Sequence, residues 1–499
     1  MGSSVPETGG SRVRGVTPVQ NKDTAHAKDT GSTARDVRLF WCANAADSLG
    51  SQASGVVLPL LLLGLGYSPA VVGLVAGVST ATGLVLGPLV AVPADRGARK
   101  PVMFWSAVVS ALAMGSVAVA LAVAEGRPSL VHLLVAVLVE RTATACYEAA
   151  ARGTVALISA PENLPRVVAG LEAGDRGALV AGPALGGMLY QASRALPFVL
   201  DAVSYAVTAV CVRAMRSNLR ADGTAPRSGH SPGSPSARRS VRGRWSGMAA
   251  EASAGFRLVR STPLLRLVLV WTTAVNGVLA ALYYDAVFTL QESGHGGTPM
   301  GLVLALSGAA GLAGSLAAPR LVRRLSPSRA VVAVSWLMIP LAAALATAGE
   351  PWTYGALFGG FCLIMPLATV ILQARAIHGT PPELQARAGS VLATAAGGAA
   401  AMAPALAGLL TAHAGAAVPA LVCAGVLAVL ALHTTFGAKR VLARGVSASD
   451  DVPARDVSAS DVPTGDVPAS DVPTGDVSAS DVPTGDVSAS DVPTRGRGA

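Results

Sequence analysis

Apolar residues in this chain arrive in runs of roughly 20, broken by short polar stretches, and that rhythm constrains its fold more than any other feature. A helix of that length crosses a hydrocarbon layer about 30 Å thick. Inside such a layer each backbone N–H and C=O must find its partner within the segment, which selects helices over open sheets. Only 13 % of the 499 residues are charged, against about 25 % in ordinary soluble chains. The expected class is therefore an all-α membrane protein. The runs predict twelve spanning helices, at about 39–63, 70–93, 101–124, 129–151, 166–190, 196–215, 264–290, 298–318, 329–348, 353–376, 385–411 and 415–436.

These runs divide the chain into a disordered cytoplasmic tail (1–38), a six-helix half (39–216), a cytoplasmic linker (217–262), a second six-helix half (263–437) and a second disordered tail (438–499). The linker opens with SGHSPGSPSARRSVRGR, whose composition buries no core, and continues as MAAEASAGFRLVR, spaced as a short amphipathic helix. From Asp451 to Thr494 the tail runs in pentads such as DVSAS and DVPTG, too polar and proline-rich to pack, and no chemistry is assigned to it. No apolar core precedes residue 35, so no cleaved signal peptide is expected. Arginines cluster in the breaks after the even-numbered helices, while the opposite breaks hold only Arg127 and Arg194. The positive-inside rule then places both termini and the linker in the cytoplasm.

Several functions are disfavoured by what is missing. The net charge of +9 is spread over short breaks and not gathered on one face, which argues against nucleic acid. None of the four lysines (Lys22, Lys28, Lys100, Lys439) sits in a phosphate-cradling loop, so ATP hydrolysis is not expected. The five cysteines lie in apolar runs without paired spacing, and the seven histidines are scattered. No metal, cofactor, intramembrane active site or obligate protein partner is predicted. No polar segment has the pattern of a soluble effector domain, which disfavours a sensor.

Two short stretches repeat at a six-helix offset. GPALGGMLY (182–190) lies in helix five and APALAGLLT (403–411) in helix eleven, with Arg166 and Arg387 at the same distance upstream. Chance likeness of Ala/Gly-rich helices is one reading. The other is two parallel repeats around a central cavity, as in secondary transporters. Between helices two and three, PADRGARKPVM concentrates Asp95, Arg96, Arg99 and Lys100 in one turn.

Together these motifs resemble the major facilitator superfamily, and within it the drug-efflux branch of macrolide and siderophore exporters. The likeness covers residues 39–437. Asp95, Arg96, Arg99 and Lys100 match the family's loop motif, whereas Ala91 and Ala98 replace its glycines. Gly182, Pro183, Gly186 and Gly187 look like the core of its antiporter motif, with Ala178 in place of an upstream glycine. Arg141 stands mid-helix four, where the family often has an arginine linked to proton coupling. The resemblance implies a twelve-helix fold of two six-helix repeats. It also implies a cytoplasmic latch of Asp95, Arg96, Arg99, Lys100 and Arg152, in which Asp95 faces the start of helix eleven and the basic residues meet carboxylates or lipid heads.

Ionisable groups inside spanning helices mark pathways or relays. Helix one carries Asn44, Asp47, Ser48 and Ser51 as one polar stripe, read as cavity lining or as small-residue packing. Helix four carries Glu140, Arg141, Glu148 and Arg152, and helix five carries Glu172, Asp175 and Arg176. The matching helix-eleven positions are Ala393, Ala396 and Gly397, so charge concentrates in the first half. Burial disfavours a carboxylate's charge and a nearby arginine favours it. Reorienting an arginine beside Asp175 or Glu140 is therefore a way to load and release a proton. Helix seven adds Asn276, Tyr283 and Asp285, the last in its outer part where facing water is the competing reading. Asp201 reads as an anchor near the outer surface. With seven tyrosines and eight phenylalanines in the chain, no extensive aromatic cage is expected.

The expected function is proton-driven export of a small lipophilic compound across a bacterial cytoplasmic membrane, with a small molecule, protons and membrane lipids as partners. Uptake or lipid transfer on the same scaffold is the alternative.

Overall fold

The computed structural model describes residues 22–95, 99–123, 127–159, 162–217, 255–294 and 296–441, together with Gly2 and Leu219. The latch residue Arg96, most of the linker and the pentad tail lie outside the described residues, as do the side chains of 88–95, including Asp95. Twelve long helices account for most of what is described. They are α1 (Lys22–Gly64), α2 (Pro69–Asp95), α3 (Arg99–Val123), α4 (Leu130–Ile158), α5 (Leu164–Ala192) and α6 (Leu196–Ala214), then α7 (Pro263–Glu292), α8 (Gly297–Val322), α9 (Pro327–Leu345), α10 (Pro351–His378), α11 (Pro382–Ala414) and α12 (Ala417–Val441). A short helical segment at 255–261 precedes α7. Proline opens or nearly opens most of the second-half helices, where the missing N–H would be unpaired in any case.

Eleven of the twelve are long and apolar enough to cross a bilayer. The exception is α5, which carries Glu172, Asp175 and Arg176 in its middle. It is held between α1 and α8, and Glu172, Asp175 and Arg176 lie on the face that those contacts leave exposed. The expected start at residue 39 is corrected: α1 reaches back to Lys22, so residues 22–38, expected as tail, are helical. Asp36 explains part of the extension. Its carboxylate is buried and accepts the backbone N–H groups of Arg216 (3.0 Å) and Ser217 (2.6 Å) and the Ser217 hydroxyl, tying α1 to the turn after α6. Beside it, Lys100 Nζ donates to the Met215 carbonyl at 2.5 Å, so α3 is fixed to the same turn.

The packing order is the same in both halves. α1 packs on α5 and α6, α2 on α4, and α3 on α4 and α6; six helices later α7 packs on α11 and α12, α8 on α10, and α9 on α10 and α12. The halves meet through two further pairs, α2 with α11 and α5 with α8, which are themselves equivalent under the repeat. A Cβ on Gly73 would overlap the Pro404 carbonyl oxygen, and one on Gly408 the Pro69 carbonyl oxygen. In the other pair a Cβ on Gly301 would overlap the Pro183 carbonyl oxygen, and one on Gly187 that of Gly297. Pro183 and Gly187 stand to Pro404 and Gly408 as GPALGG stands to APALAG. The repeated stretches thus make the same contact, and chance likeness does not explain that.

All four contacts lie at one end of the bundle, near the C-terminal ends of α5 and α11 and the N-terminal ends of α2 and α8. At the opposite end, which carries most of the arginines, Arg166, Val168 and Ala169 on α5 and Ala386, Arg387 and Ser390 on α11 are exposed. The halves are closed at the first end and parted at the basic end.

Because backbone meets backbone at this seam, Gly73→Leu and Gly301→Leu should each disfavour the closed end. Overpacking costs about 1–3 kcal/mol, enough to shift the two-state balance by about tenfold. Fluorescence transfer between labels at Ser68 and Gly415 should fall in either variant. Asp36→Ala should lower stability by about 1–2 kcal/mol, since it removes the acceptor of two partly buried N–H groups, and a thermal melt of detergent-purified protein measures this.

Candidate functional site

α1, α4, α5 and α6 place a polar cluster inside the first half. Glu140 on α4 is 4 % exposed and sits at its centre. Tyr205 Oη on α6 donates to Glu140 Oε1 at 2.7 Å, Thr144 Oγ1 donates to the same oxygen at 2.9 Å, and Arg141 Nε faces Oε2 at 3.2 Å. Since the Tyr205 proton is committed to Glu140, Ser51 on α1 donates to Tyr205 Oη, at 2.9 Å. A buried carboxylate is tolerated only when its lone pairs are satisfied, and three partners satisfy this one. Arg141 thus pairs with its sequence neighbour Glu140, while Glu148 pairs with Arg152.

The stripe on α1 divides its contacts. Asn44 Nδ2 donates to its own helix at Phe40 O, 2.8 Å. Ser48 Oγ donates to Asp175 Oδ1 on α5 at 2.5 Å, and Ser51 turns to α6. Asp47 is partly exposed, and no hydrogen bond among the described residues involves it. Asp201 is not an outer-surface anchor: it is 1 % exposed, packed on Gly50 where α6 approaches α1, with Oδ1 unpartnered. Glu148 with Arg152 (3.6 Å) and Glu172 with Arg176 (3.9 Å) form local pairs on exposed faces, in which solvent weakens the attraction.

Arg141 reaches from this cluster into a cavity of about 500 Å³ at the seam between the halves. Ser51, Gln52, Ser79 and Thr80 line it from the first half; Tyr283 and Tyr284 on α7 and Gly397 on α11 line it from the second. The two tyrosine rings meet edge to face, with centroids 5.4 Å apart. A cavity with one guanidinium, a few hydroxyls and mostly apolar walls suits a small amphiphilic molecule.

Other expected residues stand apart. Asp285 does not face water: it is 1 % exposed inside the second half, accepting from Tyr354 Oη at 2.9 Å, because α7 turns this face onto α10. Asn276 Nδ2 is bonded to Thr272 O at 2.8 Å and lines a separate recess of about 360 Å³ within the second half. Lys100 meets a helix-end carbonyl, and Arg99 lies over Gly153 on α4; neither forms an ion pair with a carboxylate among the described residues. Gly182 and Gly186 give α5 its close approach to α1 at Gln52 and Ala53, while Pro183 and Gly187 serve the seam.

Residues 40–394 match the Major Facilitator Superfamily. The chain belongs to it. No curated protein matches the chain by sequence. Among solved structures it is similar to a bacterial homologue of the iron transporter ferroportin in an inward-facing state, at TM-score 0.62 and 16 % identity, covering 82 % of this chain and 99 % of that one. A bacterial homologue of the human lysosomal transporter Spinster superposes with TM-score 0.59 at 13 % identity (83 % and 98 % covered), and a nucleoside transporter with 0.59 at 12 % (81 % and 99 %). At these identities the likeness shows the major facilitator fold. The chain is a transporter and not an enzyme.

Sequence reasoning passed over Tyr205, Gln52, Tyr284 and the Ser79–Thr80 pair. The scarcity of tyrosine was the available signal, since in a chain with seven, one in mid-helix asks for a polar partner. Tyr205→Phe should cost about 1–2 kcal/mol by leaving Glu140 a bond short. Combined with Glu140→Gln, its effect in thermal melts should be less than the sum of the two single changes, which a double-mutant cycle reads directly.

Proposed function

We propose that this transporter exports a small lipophilic compound in exchange for protons, with its basic end in the cytoplasm. The observation that carries the reading is the charged cluster at the wall of the inter-half cavity. The α1 stripe that carries Asp47 reaches Asp175 through Ser48 and Glu140 through Ser51 and Tyr205, and Arg141 extends into the cavity from beside Glu140. Protonation of Asp47 or Glu140 changes what Arg141 can bind, which links proton uptake to occupancy of the cavity.

Closure at the seam end and separation at the basic end give a state open toward the arginine-rich side, ready to receive substrate there. Rocking about the glycine seam would present the same cavity to the other side. The GPALGG stretch of the antiporter motif, and the resemblance to exporters, support efflux as the direction. The solved structures it resembles include a homologue of an iron transporter and a nucleoside transporter, so fold likeness selects no substrate. Lipophilicity is read from the mostly apolar cavity walls.

In inverted membrane vesicles, a transported compound should accumulate when the lumen is acidified and leave when a protonophore is added. Asp47→Asn and Glu140→Gln should abolish this accumulation in protein that still purifies as a folded species. Accumulation insensitive to the protonophore would remove proton coupling, and accumulation only in right-side-out vesicles would reverse the direction to uptake.

A further inference from the structure

A second, larger cavity lies away from the seam, on the outer wall of the second half. It measures about 1050 Å³ and is framed by the helical segment at 255–261, the start of α7 and the end of α12. Arg260, Arg266 and His433 line it, with Phe256, Leu264 and Phe436 as its main apolar surfaces. Among the described residues no acidic one lines it, and neither arginine takes part in an ion pair. The Thr262 side chain does not cap α7, so the first turn of that helix adds its positive end to the same place.

The charge is confined to one end of the groove. From there Phe436 (68 % exposed), Leu432, Val429, Val426 and Val422 continue along α12 at helical spacing as an exposed apolar stripe. A cationic head beside a long uncovered apolar track complements a molecule that is anionic at one end and hydrocarbon at the other. A free phosphate would use the arginines and leave the track uncovered.

We propose that this groove binds an acidic phospholipid, with its phosphate on Arg260 and Arg266 and its acyl chains along α12. The site lies outside the transport cavity and concerns a bound lipid, independent of the transported substrate or its direction. Each arginine near an anionic headgroup is worth about 1 kcal/mol, so losing both weakens binding by about thirtyfold.

The test uses full-length protein in detergent, titrated with dioleoyl phosphatidylglycerol or dioleoyl phosphatidylcholine, with bound lipid counted by native mass spectrometry. The wild type should retain phosphatidylglycerol in preference to phosphatidylcholine. The double variant Arg260→Gln/Arg266→Gln should lose that preference by about the factor above. Each single variant should lose part of it, and carries the test alone if the double variant fails to fold. A control of equal charge loss, Arg323→Gln/Arg324→Gln, should behave as wild type. Equal loss in the control overturns the site, and so does competition by inorganic phosphate as strong as by the lipid. A matching rise in lipid binding on removing residues 442–499 would show the groove to be occupied by the chain's own tail, and would also overturn it.

Discussion

Backbone against backbone, at glycine and proline, is the contact on which the assembly of the two halves depends. Lipid tails are as apolar as leucine, so no hydrophobic force draws two helices together within a bilayer. Attraction there comes from close approach, and close approach needs residues without side chains in the way. Gly73, Gly301, Gly187 and Gly408 provide it at matching positions of the repeat. The interface is mostly backbone on backbone, with one specific bond among the described residues at its closed end, from the Thr298 N–H on α8 to Gln191 Oε1 on α5 at 3.1 Å.

The polar chemistry is arranged the opposite way. Around Glu140 every bond is specific and short, and the partners come from α4 and α6, with α1 joining through Tyr205. Such a network is rigid when satisfied and expensive when partly satisfied. It lies wholly within one half, so rocking leaves it intact and changes only what Arg141 meets across the cavity. Among the described residues the second half has one buried acid of comparable depth, Asp285, capped by a tyrosine and facing away from the cavity. The repeat is symmetric in backbone and asymmetric in charge.

The helical count, the two-repeat organisation and the special place of GPALGG were legible in the sequence because hydropathy and small-residue spacing are local patterns with direct physical readings. Arg141 was legible too, as an arginine in a run where charge is costly. What spacing could not supply was the azimuth of each helix. Asp201 and Asp285 lie near helix ends in sequence, and only the rotation of α6 onto α1 and of α7 onto α10 buries them. The partners of Glu140 were likewise hidden, since Tyr205 comes from a helix two places on. The residues of 22–38 read as tail by composition, yet one buried aspartate suffices to hold part of them as helix.

That aspartate has a mechanical meaning. The chain leaves α6 for the linker at the turn where Asp36 and Lys100 bind, so three helices of the first half converge on the point of departure. Any tension along the linker, as the second half swings, is delivered to α1, α3 and α6 together. No single helix end takes the load, and the first half answers a pull as one solid lever.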